Sequence, residues 1–439
     1  MSTTSTGPID IDGLIDSRPI GAMQWRVVAL CFVLAMVDGF DAQSIAYVAP
    51  VLADEFSLGP DVMGQLISSA LVGLMAGAFV GSPIADRLGR RPVIMLSVLM
   101  MGVSSLLTAV AQTEAELFIY RFLTGLGLGG VMPNINILTA EFAPARRRAF
   151  LMTSMFVGFP IGTIVGALFA AGLINMFGWP SIFVLGGVIP LAMVPLLFFM
   201  LPESPRFLAL KGRRPDMLAG IVNKIAPEAG ATPQSQYVTV APEGGSIGAL
   251  FTQGRTLVTL LLWLVFFANL LTLYAIFGWM PSVLEAAGFP LERAILATIL
   301  FSIGGVVGGL LIAAAVDRYG AFRTMTATFA AAALSVALIG QSTASLILVL
   351  ITLFLSGATV MGSQFGINAM VGDSYDTNAR ATALGWALAV GRVGAIIGPI
   401  MVGAALASAL PLPSLFLLGA VPMLIAAVAV FVVGRLNTT

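Results

Sequence analysis

The chain consists of long apolar runs separated by short polar breaks. Each run exceeds the roughly 17 residues that a helix needs to cross a bilayer, and none shows the period-two alternation of a membrane β-barrel strand. The pattern therefore predicts an all-α membrane protein with twelve transmembrane helices. The predicted spans are residues 25–50, 63–85, 92–112, 116–141, 149–175, 179–201, 256–284, 293–315, 323–341, 344–371, 380–408 and 412–434.

A polar stretch in the middle of the chain divides these spans six and six. We therefore predict two six-helix bundles joined by a central loop, with a short polar segment at each end of the chain. The predicted parts are an N-terminal segment (1–24), an N-terminal bundle (25–201), the central loop (202–255), a C-terminal bundle (256–434) and a tail (435–439).

The basic residues outside the spans favour one orientation. If the N-terminus lies in the cytoplasm, Arg293 is the only arginine or lysine in an outer loop. An excess of arginine and lysine marks the cytoplasmic loops of membrane proteins, so we expect both termini and the central loop to be cytoplasmic. The outer loops carry acidic residues instead, namely Asp54, Glu55, Asp61, Glu114, Glu116, Glu285 and Glu292.

Composition limits the available chemistry. Hydrophobic residues make up 58% of the 439 residues and charged residues 10%, against about 25% charged in soluble domains. The chain has no histidine and one cysteine, Cys31, which excludes an imidazole relay, a histidine metal site and an intrachain disulfide. A proton carried near neutral pH must then use a carboxyl group. The formal net charge of zero gives no reason to expect a nucleic-acid partner, and we expect neither a metal nor a cofactor.

The two bundles repeat one another in sequence. ADRLGRR after span 2 matches VDRYGAFR after span 8, and FLTG in span 4 matches FLSG in span 10, at offsets of 231 and 232 residues. Both halves begin on the same side and have six spans, so the repeat is parallel. Transporters with such repeats hold their substrate between the halves near the bilayer midplane.

Four charged residues lie well inside the predicted spans: Asp38, Asp41, Arg121 and Arg392. Each costs roughly 2.5–3.5 kcal/mol at a helix centre on insertion scales. They break the internal repeat, since Asp38 matches Asn269 in the second half. Ionisable residues inside a membrane usually mark a transport path or a proton relay, and structural ion pairs between helices are the alternative.

The two aspartates are three residues apart, so they share one helix face. Two carboxylates this close in a low-dielectric site resist joint ionisation and titrate as a coupled pair. We therefore predict a proton-coupling site at Asp38 and Asp41, and the sequence does not decide which of them carries the proton. Arg392 cannot lose its proton but can hold a carboxylate bidentately, so we predict that it binds an anionic substrate. Arg121 is a second candidate, with snorkelling or pairing with Glu116 as alternatives.

Uncharged polar and aromatic residues in the spans are further candidates to line a substrate cavity. Asparagine and glutamine in apolar spans also often bond a neighbouring helix, so the signal is less specific. The candidates are Gln43, Ser44, Asn134, Asn136, Asn269, Tyr274, Trp279, Gln364, Asn368 and Trp386.

Several motifs resemble the major facilitator superfamily. SPIADRLGRR (82–91) is similar to its loop motif between spans 2 and 3, RFLTGLGLGG (121–130) to its span-4 motif, and PESPRFL (202–208) to an element after span 6. Together with DGFDAQSIAYVAP and GWALAVGRVGAIIGP, they resemble the aromatic acid:proton symporter family, which includes bacterial 4-hydroxybenzoate and protocatechuate carriers. The resemblance implies the major facilitator fold and a location in the bacterial inner membrane.

The resemblance also implies roles for individual residues. The D-G-x-D carboxylates of that family are needed for proton-coupled uptake and correspond to Asp38 and Asp41, while its span-4 and span-11 arginines correspond to Arg121 and Arg392. A conformational motif, which latches helix ends rather than binding substrate, corresponds to Asp86, Arg87, Gly89, Arg90, Arg91 and Glu141, with Asp317 and Arg318 as its partial repeat. In PESPRFL we expect a helix end with a contact between Glu203 and Arg206.

We therefore predict a monomeric secondary transporter that imports a small, hydroxybenzoate-like aromatic carboxylate with protons by alternating access. Replacement of Asp41 by Asn should leave folding intact and abolish uptake driven by a pH gradient. Alternatives are a carrier for another organic anion such as an aliphatic carboxylate, a sugar carrier, or a proton-coupled efflux antiporter. A membrane enzyme is disfavoured because no nucleophile elbow, metal-ligand cluster or redox cysteine pair is present. A sensor or scaffold rarely needs four buried charges.

Overall fold

A computed structural model describes residues 8–239, 247–252, 254–342 and 345–437. Within these ranges, twelve helical segments are long and apolar enough to span a bilayer, as the sequence predicts. Parts of the predicted regions lie outside the described residues: 1–7 of the N-terminal segment, 240–246 and 253 of the central loop, 344 at the start of span 10, and 438–439 of the tail.

The N-terminal half contains spans 1 to 6. Span 5 is divided into two helices by a break at Val157. The elements are β1 (Ile9–Asp10), α1 (Ile11–Asp16), α2 (Ala22–Glu55), α3 (Pro60–Leu88), α4 (Arg90–Ala109), α5 (Glu114–Phe142), α6 (Arg148–Phe156), α7 (Gly158–Phe177) and α8 (Pro180–Met200).

The C-terminal half contains spans 7 to 12. Span 10 is interrupted by a π-helical turn, Gly357–Met361, a local irregularity that often marks functional regions of helices. After α9 (Pro205–Lys211), α10 (Pro215–Ile225) and β2 (Tyr237–Val238), its elements are α11 (Thr256–Ala286), α12 (Leu291–Tyr319), α13 (Ala321–Ser342), α14 (Leu346–Ser356), α15 (Ser363–Ser374), α16 (Thr377–Ala407) and α17 (Leu412–Leu436).

The polar stretch between the halves is folded against the N-terminal segment. Strand β1 pairs in parallel with β2, in the register Ile9 to Tyr237. Arg206 forms an ion pair with Asp12 at 2.6 Å, so the expected contact between Glu203 and Arg206 is wrong. Ile11 of α1 is buried in the same apolar cluster as residues of α9 and α10. The predicted N-terminal segment and central loop therefore form one small cap on the N-terminal half.

Twelve crossings bring both ends of the chain to the same side of the bundle, which we call the termini end; the other side is the opposite end. The halves meet mainly along α3 with α16 and along α7 with α12. The Ser68 hydroxyl donates to the Ile396 carbonyl at 2.7 Å, and the Thr163 and Ser302 hydroxyls lie 2.8 Å apart. In the described ranges, the hydrogen bonds between the halves lie at mid-bilayer or toward the opposite end, so the halves are closed there.

Candidate functional site

A buried ion pair lies at the centre of the N-terminal half. The Arg121 guanidinium donates to both carboxylate oxygens of Asp41, at 3.0 and 3.2 Å, and both side chains are 1% exposed. The guanidinium also lies over the Phe183 ring, 5.5 Å from its centroid. A bidentate pair of this kind satisfies both charges locally. The interpretation of Arg121 as a partner of Glu116 is therefore wrong, because Glu116 instead accepts a hydrogen bond from the backbone of Gln112.

Asp38 lies one helical turn before this pair and has no such partner. Its side chain is buried, and its Oδ1 atom has no hydrogen-bond partner among the described residues. It interacts electrostatically with Asp41 on its own helix and with Arg392 on α16 of the other half. Tyr274 of α11 interacts with both Asp38 and Arg392. The second carboxylate thus faces a cation across the interface between the halves.

Local sequence explains how α2 brings these groups to the interface. Gly39 stands between the two aspartates, and a Cβ atom there would overlap the carbonyl oxygen of Phe159 on α7. Gly162 of α7 similarly meets the carbonyl of Met36. The two helices therefore approach closely on one face of α2, while the adjacent carboxylates are presented on another.

A cavity of about 30 Å³ joins the charged groups. Its walls include Asp38, Asp41, Arg121, Tyr274, Phe159 and Phe277. The two phenylalanine rings lie 6.5 Å apart and come from different halves. The volume suffices for a water molecule but is far below the roughly 300 Å³ of small-molecule pockets. The halves must therefore separate around the cavity before a molecule much larger than water can bind.

Arg392 reaches the cavity wall from the C-terminal half. It lies half-buried on α16, and its Nη1 atom is 3.4 Å from the carbonyl oxygen of Leu74, a residue that lines the cavity. Leu74 belongs to α3 of the other half. This backbone acceptor is a weak partner for a guanidinium, so most of the hydrogen-bonding capacity of Arg392 remains available.

The other predicted cavity residues divide into three groups. Five are buried or half-buried and keep a polar atom without a hydrogen-bond partner among the described residues: Gln43, Asn134 (at Oδ1), Asn136, Asn269 and Gln364. Ser44 donates to the Asp41 carbonyl at 2.8 Å, Asn134 donates to the Gly130 carbonyl at 2.7 Å, and Trp279 donates to the Pro399 carbonyl at 2.9 Å. The third group, Asn368 and Trp386, is exposed.

Trp386 differs from the charged groups in being exposed rather than buried. Its side chain is 41% exposed and stacks on Trp263, with ring centroids 6.0 Å apart. Trp263 is half-buried and packs against the main apolar cluster of the bundle. In this conformation the tryptophan does not contribute to the cavity.

Glu203, which we expected to contact Arg206, instead binds the start of the predicted conformational motif. Glu203 accepts hydrogen bonds from the backbone N–H groups of Arg90 and Arg91, at 2.8 and 3.2 Å, and so caps the start of α4. Gly89 has a φ of +107°, and a Cβ there would overlap the Glu203 carboxylate. Asp86 forms an ion pair with Arg90 at 2.6 Å.

The remaining motif residues lie around this cap or at its repeat. Arg91 donates to the Phe198 carbonyl, and the Arg87 carbonyl accepts from Arg213. Glu141 is buried, with one oxygen lacking a partner among the described residues. Asp317 and Arg318 are exposed at the end of α12. None of the ion pairs among the described residues joins the two six-helix bundles.

Sequence reasoning missed the residues that close the cavity. Phe159, Phe277 and Leu74 are apolar, as are most residues of the spans, so no local pattern distinguishes them. Leu74 also acts through its carbonyl, which every residue possesses. Phe159 precedes Pro160, and Pro160 lies 232 residues before Arg392, which is the offset of the internal repeat; this placement was the one available signal.

Two six-helix halves that meet at a buried, charged cavity define a polytopic membrane transporter. The sequence pattern of the Major Facilitator Superfamily matches residues 31–308 and 262–438. The chain belongs to this superfamily, as the motifs predict, and is a transporter rather than an enzyme.

Relatives with known roles resemble the chain over nearly its full length. A gallate transporter of Pseudomonas putida is 37% identical, over 98% of this chain and 97% of the relative. The 4-hydroxybenzoate transporter PcaK of Acinetobacter baylyi is 35% identical, over 98% and 95%. These similarities confirm the predicted resemblance to aromatic acid carriers.

Solved structures confirm the fold. The partially occluded inward-open xylose transporter XylE of E. coli superimposes with a TM-score of 0.72 at 19% identity, covering 93% of this chain and 98% of that one. A bacterial homologue of the human lysosomal transporter Spinster gives 0.73 at 16% identity, covering 94% and 97%.

Proposed function

We propose that the protein imports a small aromatic carboxylate together with protons by alternating access. One observation carries the proposal: Asp38 lines the cavity, Arg392 of the other half approaches the same cavity at Leu74, and Asp41 is already paired with Arg121. The relatives named as gallate and 4-hydroxybenzoate transporters support the substrate class. The aromatic side chains Tyr274, Phe159 and Phe277 around the cavity suit a planar ring.

In this proposal the two aspartates have different roles. Ionised Asp38 supplies the negative charge opposite Arg392 in the empty carrier. A buried carboxylate with an unpartnered oxygen is costly, so a proton is accepted at Asp38 rather than at the bidentate partner of Arg121. Once Asp38 is neutral, the substrate carboxylate replaces it as the counter-charge of Arg392. Proton and anion transport are coupled because protonation of Asp38 removes the counter-charge of Arg392 and binding of the substrate carboxylate restores it.

The buried amides outside the charged cluster are proposed to recognise substituents on the ring. Gln43, Asn269 and Gln364 each have a polar atom without a described partner. Such a group favours a ligand hydroxyl that satisfies it and rejects an analogue that leaves it unpaired. We therefore propose a hydroxylated substrate in preference to unsubstituted benzoate.

We further propose that the protein acts as a monomer in the bacterial inner membrane, with the termini end in the cytoplasm. The distribution of arginine and lysine supports this orientation. The structure is closed toward the opposite end, so in this orientation it corresponds to a carrier closed toward the outside. The termini-end motif, in which Asp86 is exposed and Arg90 half-buried, would then meet the other half only when the cytoplasmic side closes.

The proposal is tested by uptake of radiolabelled 4-hydroxybenzoate and gallate into proteoliposomes with an alkaline interior. The wild type should accumulate at least one of them when the gradient is imposed. The Asp38→Asn variant should lose accumulation but retain exchange of labelled for unlabelled substrate, because exchange needs no net proton movement. The Arg392→Gln variant should lose both activities.

Three results would contradict specific parts of the proposal. Accumulation by Asp38→Asn equal to that of the wild type would exclude its role as proton carrier. Uptake of an aliphatic dicarboxylate with no response to aromatic acids would exclude the substrate class. Accumulation only under the reversed gradient would establish an antiporter that exports its substrate.

A further inference from the structure

A groove on the outer surface of the C-terminal half lies away from the transport site. It runs between α12, α13 and the π-helical turn before α15 and encloses about 640 Å³. It extends from Tyr319 and Arg323 at the termini end to Gly308 deeper in the bundle. The transport mechanism proposed above assigns it no role.

The groove faces the bilayer. Leu311 on its rim is 66% exposed, and the main packing partners of α13 are helices of its own half, α17 and α14. The groove floor is built from small side chains, including Ala315, Ala327 and Ala358. Ala358 belongs to the π-helical turn, whose backbone packs closely against Gly308 of α12 at the deep end of the groove. Lipid therefore contacts this surface directly.

Polarity changes along the groove as it does along a phospholipid. Tyr319, Arg323 and Thr324 lie at the termini end, whereas the walls farther in are mainly alanine, leucine and glycine. Thr359 at the deep end already donates to the Leu355 carbonyl at 2.8 Å. From Tyr319 to Gly308 the helix rises by about 16 Å, which is close to half of the roughly 30 Å hydrocarbon core. The groove therefore has the depth of one leaflet.

The mouth of the groove is positively charged. Arg323 is exposed and forms no ion pair among the described residues, and Arg318 is also exposed, 5.2 Å from the Tyr319 ring centroid. Asp317 precedes Tyr319 by two residues, so the helical repeat places it on the opposite face of α12. The two guanidinium groups thus lie at the level where lipid phosphates meet the hydrocarbon.

We propose that this groove binds an anionic phospholipid, with an acyl chain against α12 and α13 and the headgroup phosphate at Arg323 and Arg318. Arginine suits this role because its planar donors hold a phosphate bidentately. The proposed orientation would place the lipid in the cytoplasmic leaflet, but binding itself depends neither on that orientation nor on the proposed substrate.

Native mass spectrometry of delipidated protein in detergent tests the proposal, with phosphatidylglycerol and phosphatidylcholine of identical acyl chains as probes. The wild type should bind phosphatidylglycerol more tightly. The Arg323→Gln variant should weaken phosphatidylglycerol binding roughly fivefold, the effect of about 1 kcal/mol per basic residue near a lipid surface, and leave phosphatidylcholine binding unchanged. Arg293→Gln, at the exposed opposite end of α12, is the matched charge control and should have no effect.

A second pair of variants tests the acyl-chain site independently. Ala327→Phe fills the groove and should weaken the binding of both lipids, whereas Ala330→Phe, exposed on the same helix outside the groove, should not. Equal affinity of the wild type for both lipids would overturn the proposal. Equal effects of Arg323→Gln and Arg293→Gln, or of the two phenylalanine variants, would also overturn it.

Discussion

The ion pair between Asp41 and Arg121 leads to a stability prediction that distinguishes the two aspartates. Asp41→Asn leaves a buried guanidinium without its counter-charge, because the Arg121 side chain is 1% exposed. Asp38→Asn removes a buried charge whose Oδ1 atom has no described partner. We therefore expect the first substitution to destabilise the protein and the second to be neutral or stabilising. This revises the expectation from sequence that Asp41→Asn leaves folding intact.

The magnitude follows from the burial of the pair. Removing one partner of a buried ion pair typically costs about 3–5 kcal/mol, whereas replacing both partners is often close to neutral. With an unfolding entropy of about 2.1 cal/mol/K per residue, removal of the Asp41 charge alone lowers the temperature midpoint of unfolding by about 3–5 °C. The double variant Asp41→Asn, Arg121→Gln should recover most of that decrease.

The assay is thermal unfolding of the purified variants in one detergent, followed by tryptophan fluorescence and by loss of monomer in size-exclusion chromatography. Equal midpoints for Asp41→Asn and Asp38→Asn would refute the distinction between a paired and an unpaired carboxylate. A double variant no more stable than Asp41→Asn would show that the orphaned Arg121 charge is not the cause of the loss.

Three further substitutions test other contacts. Gly39→Ala should lower stability by several kcal/mol or abolish expression, since its Cβ would overlap a backbone carbonyl. Gly172→Ala is the control, because nothing lies within 4 Å of its Cβ. Equal yields of the two variants would contradict this prediction. Glu203→Gln weakens the carboxylate contact with two backbone N–H groups at the start of α4. It should lower the stability measured by thermal unfolding by about 1 kcal/mol, and no measurable loss of stability would count against this helix cap. Asp12→Asn should increase proteolysis of the N-terminal segment and central loop, because it breaks the ion pair with Arg206. Unchanged digestion would count against a stabilising role of this ion pair.

The fold was predictable because each transmembrane helix must be apolar over the full thickness of the bilayer. The helices extend past the apolar runs, as α2 does from Ala22 to Glu55 against the predicted 25–50, since polar residues continue a helix outside the hydrocarbon core. The break at Val157 and the π-helical turn at Gly357–Met361 were not predictable. Both change hydrogen-bond register within a run that is apolar throughout.

The charged members of the candidate site were predictable from sequence, but their pairing and the apolar residues around them were not. Charge inside a span identifies Asp38, Asp41, Arg121 and Arg392 because the membrane makes each of them costly. Which carboxylate meets which arginine depends on how the helices are rotated and packed, and sequence spacing carries no information about it. The same limit explains why Arg206 pairs with a residue of the N-terminal segment rather than with its sequence neighbour.

The broken internal symmetry now has a physical interpretation. The N-terminal half holds the Asp41–Arg121 ion pair and one further buried carboxylate, so in the proposed mechanism its charge at that site changes when Asp38 gains or loses a proton. The C-terminal half holds Arg392, whose charge is fixed, opposite it across the interface. Under the proposed mechanism, a proton-dependent charge in one half and a permanent charge in the other would make the attraction between the halves depend on the protonation of Asp38.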